Sequence, residues 1–432
     1  MDGQPDRLPV PLPFRAWLNQ GWIDLARPGG RDCIIPWGIE LAWRSHAERR
    51  PLPRFNSLVP TSHRAKVALA AAAADVTVAL AAPDEVPVRR RTERWAALCE
   101  SVARCDAMTL DARERLVWLL HRLCFHALIG RLAQLPAPAG DADAVAALRV
   151  TSTLAAASVA LDRGENVFGR LFGALLPSLP AGSVAAVTAS YHLVLAHAKF
   201  RPDAARAADA VQVHHRLVER AVARLPRFEA DHVLSRFHRV RAFLPMLNGD
   251  LRGMTDDMDR AEALARGLAP ASEAEQLAAA EILWPVLESR VREAQVLGDL
   301  ALAERRSRQL VAAAPLDPRA WLHLGEALIA LERYAEAIPV HREAHRLGPP
   351  SSEIALFNLG QCHEMLDEAE PALDAYAELL QIDPYAISAA ERVASIAAER
   401  GSRCQGWAQA LLTSLEHLRP VMQGAQVAAL RG

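Results

Sequence analysis

The sequence predicts an all-α protein built from consecutive antiparallel helices. From residue 61 onward, apolar residues recur at steps of three and four, which is the spacing of one helix face. Breaks in this pattern fall at proline or glycine clusters, such as Pro177–Gly182 and Gly298-Asp299, and are only a few residues long. No segment of the sequence shows the sustained alternation of a half-buried strand. Short connections predict helical hairpins, which stack either as a bundle or as a solenoid.

Composition limits the classes of partner. The chain has 432 residues, of which 51% are hydrophobic and 23% charged, with a formal net charge of -2. This is enough for two or three domains or one extended array. A balance so near neutral disfavours nucleic acid or an acidic membrane as the main partner. The alanine-rich stretch 65–82 resembles a membrane span in length, but it contains Lys66 and Asp75, so we predict a buried helix there.

The cysteines and the first residues predict a cytoplasmic location. Six cysteines are scattered along the chain with no CxxC pair, which is unlike a secreted disulfide framework. The first six residues lack the basic-then-apolar order of a signal peptide.

Residues 1–60 are predicted to form an N-terminal cap. They are rich in proline, which disfavours long helices, and they hold four of the nine tryptophans: Trp17, Trp22, Trp37 and Trp43. These rings are suited to cover the open end of a helical core, and a ligand site lined by aromatic rings is the alternative.

Residues 61–230 are predicted to be an irregular region of helical hairpins.

A repeat begins near residue 318. Two sets of residues follow the same order, and most of the corresponding positions, such as Gly325 and Gly360, are thirty-five residues apart. The first set is Trp321, Leu324, Gly325, Ala337, Ala344 and Pro349, and the second is Leu356, Leu359, Gly360, Ala372, Tyr376 and Pro384. The pattern resembles the tetratricopeptide repeat, a helical hairpin of about 34 residues. The two glycines are expected to leave room where the second helix crosses the first.

The resemblance is specific over residues 318–386 and weaker over 231–418. A weaker copy precedes it, with Ala303 and Pro315 at the same offsets, and a degenerate copy follows from Ile387. The sequence therefore predicts an α-solenoid of antiparallel hairpins, with a tetratricopeptide-like array over 231–418 that ends in a capping helix. Residues 419–432 are predicted to be a tail.

The resemblance implies a concave groove, lined by the first helix of each hairpin, that binds an extended peptide or a partner protein. The residues that it assigns to the groove are Arg319, Leu322, Glu326, Ile329, Ile354, Phe357, Gln361 and Glu364. The carboxylate clamp known in the family is not matched, because Leu322 and Phe357 stand where its polar residues would be. An apolar or mixed groove that binds an amphipathic segment fits better, with Leu322 and Phe357 as the first anchors. Alternatively, these side chains pack against a neighbouring helix of the same chain.

Catalytic signatures are weak. The sequence has no phosphate-binding glycine loop after a strand, no HExxH and no GxSxG motif. His341 and His345 are four residues apart and could bind a metal ion from one face of a helix. His341, however, stands where the repeat usually has a packing aromatic residue, so we expect it to pack. The remaining metal candidates, which would suit a di-iron-like site on facing helices, are Glu114, His121, His215 and Glu219.

The sequence therefore predicts a non-catalytic scaffold or adaptor in the cytoplasm, with a protein or peptide partner and no cofactor. Whether a second copy of the chain also binds is left open. One alternative is a metal-dependent, di-iron-like enzyme with its site in the N-terminal half and the repeats recruiting a peptide or protein substrate. The other is a signalling or transcriptional regulator that senses a peptide, although no DNA-binding motif is recognisable.

Overall fold

The structure is a computed structural model that describes residues 34–49, 93–122, 125–132, 141–162, 165–315, 317–347, 351–383, 386–400 and 405–416. These residues are mostly helical and include no strand, so the protein is all-α. The described residues fall into two compact units, and the boundary lies between Ser289 and Arg290.

The first unit begins with short helices and continues as longer hairpins. Its helices are α1 (Ile34–Ala47), α2 (Glu93–Ala103), α3 (Leu110–Arg122), α4 (His126–Leu132), α5 (Ala142–Asp162), α6 (Phe168–Leu175), α7 (Val184–Leu195), α8 (Ala204–Val222), α9 (Arg227–Arg241), α10 (Phe243–Leu247), α11 (Leu251–Gly267) and α12 (Glu273–Val296), the last of which contains the boundary. Helices α7 and α8 pack together, as do α9 and α11. Side-chain caps begin α7, α8 and α11, where Ser183, Asp203 and Asp250 accept a hydrogen bond from a backbone N–H three residues ahead.

Helices α1 and α3 are attached to α12 within the first unit. Trp37 packs against Leu277, and its indole Nε1 donates to Glu273 over 3.3 Å. Arg44 also donates to Glu273, over 2.7 Å. Arg122 forms a buried ion pair with Glu281. These contacts connect residues far apart in the sequence, so the first unit is not a simple chain of nearest-neighbour hairpins.

The second unit is a regular series of hairpins. Its helices are the end of α12, then α13 (Leu300–Ala313), α14 (Pro318–Ala330), α15 (Tyr334–Leu347), α16 (Ser352–Met365), α17 (Ala369–Ile382), α18 (Ile387–Arg400) and α19 (Gln405–Glu416). Each helix from α13 onward packs against the next. Asp299 and Asp317 cap α13 and α14 through their carboxylates.

Two glycines make the hairpin crossings close. A Cβ at Gly360 would lie 2.6 Å from Cε1 of Tyr376, and a Cβ at Gly325 would overlap the ring of His341 in the same way. Ala337 and Ala372 are fully buried on the second helices. The packing that the repeat pattern predicts is therefore present in both hairpins.

Some predictions concern residues that the structure does not describe. Trp17, Trp22, the stretch 65–82 and the tail 419–432 lie outside the described ranges, and the four predicted regions stay predictions. Among the described helices, one segment of α5, Ala142–Ala160, is long and apolar enough to cross a membrane, but half of it is buried within the structure. Buried core helices share this composition, so the segment is weak evidence for a membrane span.

Candidate functional site

The candidate site is the surface that α14 and α16 form in the second unit, which we call the first-helix face. It is defined by the eight groove positions that the sequence predicts on these two helices. Helix α14 contacts α16 directly as well as through α15. Residues three or four apart on each helix point to the same side, so the two sets lie beside each other.

The structure corrects the assignment of Leu322. This side chain is only 7% exposed and packs with Ala344 of α15 and Ala355 of α16. Because it fills the space between three helices, it is a core residue and presents little surface to a partner. The prediction that Leu322 is a binding anchor is therefore wrong.

On α16, three predicted positions differ in how much surface they present. Ile354 is 50% exposed, and Gln361, about two helical turns further along the same face, is also exposed. Phe357 is half-buried, with its ring centroid 5.5 Å from that of Tyr376. Ile354 and the outer side of Phe357 therefore form an apolar surface at the start of α16.

On α14, the remaining positions are more polar. Arg319 lies 3.8 Å from Asp317, and most of its side chain is buried. The Glu326 carboxylate lies 3.7 Å from Nδ1 of His323, and its side chain is 42% exposed. Ile329 is half-buried and packs against the core of the second unit.

Glu364 is paired with a residue that sequence reasoning missed. Arg392 of α18 donates from Nε to Glu364 over 2.9 Å, so the basic group of the following hairpin joins the first-helix face. A second contact of this type joins Arg400 to Asp367. The sequence indicates a further helix here through the degenerate copy that follows from Ile387. This copy has no Leu-Gly pair, so its register could not be assigned to individual side chains.

His341 is a packing residue. Its ring is fully buried against Gly325, and neither ring nitrogen has a hydrogen-bond partner in the structure. Burial lowers the pKa of His341 to about 4, so the ring is neutral at physiological pH. His345, by contrast, lies 3.0 Å from Glu378.

The four metal candidates do not form a site. His121 is buried on α3 beside His126, with ring centroids 5.4 Å apart. His215 is exposed on α8, where its Nε2 lies 3.4 Å from Glu219. The residues that the structure describes include no group of three or more histidine, cysteine or acidic side chains that could hold a metal ion. Glu114 therefore does not belong to such a group either. The structure therefore does not support the di-iron-like alternative.

Comparison with known proteins gives one match in sequence. The family model described as tetratricopeptide repeat matches residues 289–352. No curated protein sequence matches the chain.

Several solved structures are similar in fold. The crystal structure of MamA is 15% identical over 42% of this chain and 96% of its own, with a TM-score of 0.35. A Signal Transduction ATPase with Numerous Domains from Pyrococcus horikoshii, which has a tetratricopeptide repeat sensor, is 11% identical. That match covers 79% of this chain and 53% of the ATPase, with a TM-score of 0.52. At 11% identity the likeness to the ATPase concerns the fold alone, and it agrees with an all-α solenoid.

The glycine crossings, the matching hairpins and the family match point to the same class. Residues 289–352 therefore match the tetratricopeptide repeat family both in sequence and in the packing of their helices.

Proposed function

We propose that the chain is a non-catalytic scaffold or adaptor that binds a segment of a partner protein on the first-helix face. The observation that carries this proposal is Ile354, which is half exposed in the first turn of a helix whose other apolar side chains are mostly buried. Tetratricopeptide repeats generally bind protein partners, and the family match supports the same class of function.

The chemistry of the face favours an amphipathic segment. Ile354 and Phe357 provide the apolar surface, while Glu326, Gln361 and Arg392 provide charge and hydrogen bonds beside it. Because the face consists of packed helices, binding would order the partner segment and not the scaffold. Most of the binding free energy is then expected from one or two apolar contacts.

The test is affinity capture from the native host's lysate with a matched pair of variants. Ile354→Glu places a charge in the apolar surface, whereas Leu300→Glu makes the same change at an exposed position of α13, away from the face. We expect a specific partner to be enriched by the wild type and by Leu300→Glu. Its enrichment should fall about tenfold or more with Ile354→Glu, which is the scale of a binding hot spot.

The proposal fails if Ile354→Glu retains every partner, provided that circular dichroism shows the variant to be folded. It also fails if both variants lose the partner equally, because the loss would then not depend on the first-helix face. A second copy of the chain among the captured proteins would identify the partner as the chain itself.

We also propose a cytoplasmic location. In support, Cys105 and Cys362 are buried free thiols, as expected in a reducing compartment. Burial raises the pKa of Cys362 to about 11, so its thiol is unreactive at neutral pH.

A further inference from the structure

Two arginines of α9 share one tyrosine in the first unit. Arg236 is 8% exposed, and its guanidinium carbon lies 4.5 Å from the ring centroid of Tyr191 on α7. Arg239 lies 5.7 Å from the same centroid and donates from Nη2 to the Tyr191 hydroxyl oxygen. Its Nη1 donates to Oγ of Ser289 over 3.4 Å. We call Arg236 and Arg239 the α9 arginine pair.

Neither member of the α9 arginine pair has a carboxylate partner among the described residues. Two other arginines of the first unit do have one. Arg122 pairs with Glu281, and Arg241, on the same helix as the pair, donates to both carboxylate oxygens of Asp257. The α9 arginine pair differs from these two arginines in this respect.

The neighbouring histidines do not supply negative charge either. His192, His214 and His232 are fully buried beside the pair. Burial, and secondly the charge of Arg236, lowers the pKa of each to about 3, so all three are neutral at physiological pH. The two positive charges of the pair are therefore uncompensated by the described side chains.

An uncompensated buried guanidinium is unfavourable. Its desolvation costs more free energy than attraction to one aromatic ring returns. Burial accordingly lowers the pKa of Arg236. Proteins normally offset such a charge with an anion, and an arginine fork matches the two oxygens of a carboxylate or a phosphate.

We propose that the α9 arginine pair binds an oxyanion, the carboxylate or phosphate group of a ligand, between Arg236, Arg239 and the Tyr191 hydroxyl. The two arginines are three residues apart and lie on one side of α9. The Tyr191 oxygen accepts a hydrogen bond from Arg239, which leaves its own proton to donate to the anion. The site lies in the first unit, outside residues 289–352, and so is independent of binding at the first-helix face.

The test is isothermal titration of the full chain with three probes at equal ionic strength: sodium phosphate, sodium acetate and sodium chloride. We expect the wild type to bind phosphate or acetate and not chloride. Binding of phosphate alone identifies a phosphate group, and binding of acetate identifies a carboxylate. Arg236→Met should weaken the affinity by about tenfold or more, because it removes charge-assisted hydrogen bonds to the anion.

The matched control is Arg241→Met, which removes a paired arginine from the same helix and should retain anion binding. Without an anion, Arg236→Met should unfold at a temperature no lower than the wild type, because it removes an uncompensated charge. If Arg236→Met does not fold, Arg239→Gln provides the same comparison. The proposal is overturned if the wild type binds neither oxyanion, or if the affinity is unchanged in the variant that is tested.

Discussion

At the scale of single residues, the close crossing of the α14–α15 and α16–α17 hairpins depends on a glycine beneath a ring. Gly360 lies under Tyr376 and Gly325 under His341, and both rings are fully buried. A histidine in this position has the shape of an aromatic side chain, but it is able to accept a proton. Since its nitrogens have no partner in the structure, protonation of His341 would place an unpaired charge in the core.

Stability should therefore fall in mild acid, in part through His341. Its pKa is about 4 in the folded protein and 6.5 in the unfolded chain, so the unfolded chain binds more protons between these values. The stability that neutral His341 provides is fully present above pH 6.5 and is lost progressively below it. The free energy of unfolding falls by about 2 kcal/mol at pH 5 through this group. Between pH 7 and pH 5, we expect the free energy of unfolding of His341→Phe to fall by about 2 kcal/mol less than that of the wild type. The measurement is urea unfolding at the two pH values. Equal losses in the two proteins would contradict this assignment.

The buried role of His341 could be predicted from the sequence, whereas that of Leu322 could not. Helical spacing assigns residues to one face of a helix, and this was sufficient for Ile354 and Gln361, which are exposed. It does not indicate how much of that face the next hairpin covers, and Ala344 and Ala355 cover Leu322. The α9 arginine pair was also missed, because Tyr191 is distant in sequence and no motif connects it to α9.

At the scale of elements, the turn within each hairpin repeats one backbone conformation. Gly298, Glu332 and Asp367 have φ values of 71°, 57° and 60°, respectively, and lie between the first and second helices of successive pairs. Their spacings of 34 and 35 residues follow from the numbering and match the repeat. The weak copy before residue 318 is thus a structural hairpin with the same turn. Only the first of the three turns has the glycine that this conformation favours.

Glu332→Gly should therefore stabilise the second unit. A side chain in the left-handed region costs about 1–2 kcal/mol, and glycine removes this cost while adding about 0.4–1 kcal/mol of freedom to the unfolded chain. Glu332 is exposed, so few contacts are lost. We expect the free energy of unfolding, measured by chemical denaturation, to rise by about 0.5–1 kcal/mol. Glu332→Ala is the control, since it keeps the Cβ and should give no gain; a glycine variant less stable than the alanine variant would refute the explanation.

Most helix ends could be predicted from the sequence because they coincide with glycine or proline clusters. Helix α18 begins at the predicted Ile387, and α19, Gln405–Glu416, is the predicted C-terminal helix. Isolated prolines are different, because Pro285 and Pro339 lie inside α12 and α15. The contacts of α1 and α3 with α12 had no signal in the sequence, since they join single residues across more than 150 positions.

At the scale of the whole molecule, the family resemblance predicted the class of the second unit but not the organisation of the first. Residues 289–352 have sequence features that a family model recognises, because the Leu-Gly and alanine positions are fixed by helix crossing. The first unit depends on buried arginines, histidines and aromatic rings whose partners are set by tertiary packing. The central claim remains that the chain acts through the face of α14 and α16.

Site-specific photocrosslinking in the native host tests this claim most directly. A photoreactive phenylalanine analogue is placed at Ile354 in one protein and at Leu300 in another, since both positions are exposed. We predict that the analogue at Ile354 forms a discrete covalent adduct with one partner protein, identified by mass spectrometry, and that the analogue at Leu300 does not. An absence of adducts at Ile354, or the same adducts from both positions, would contradict binding at the first-helix face.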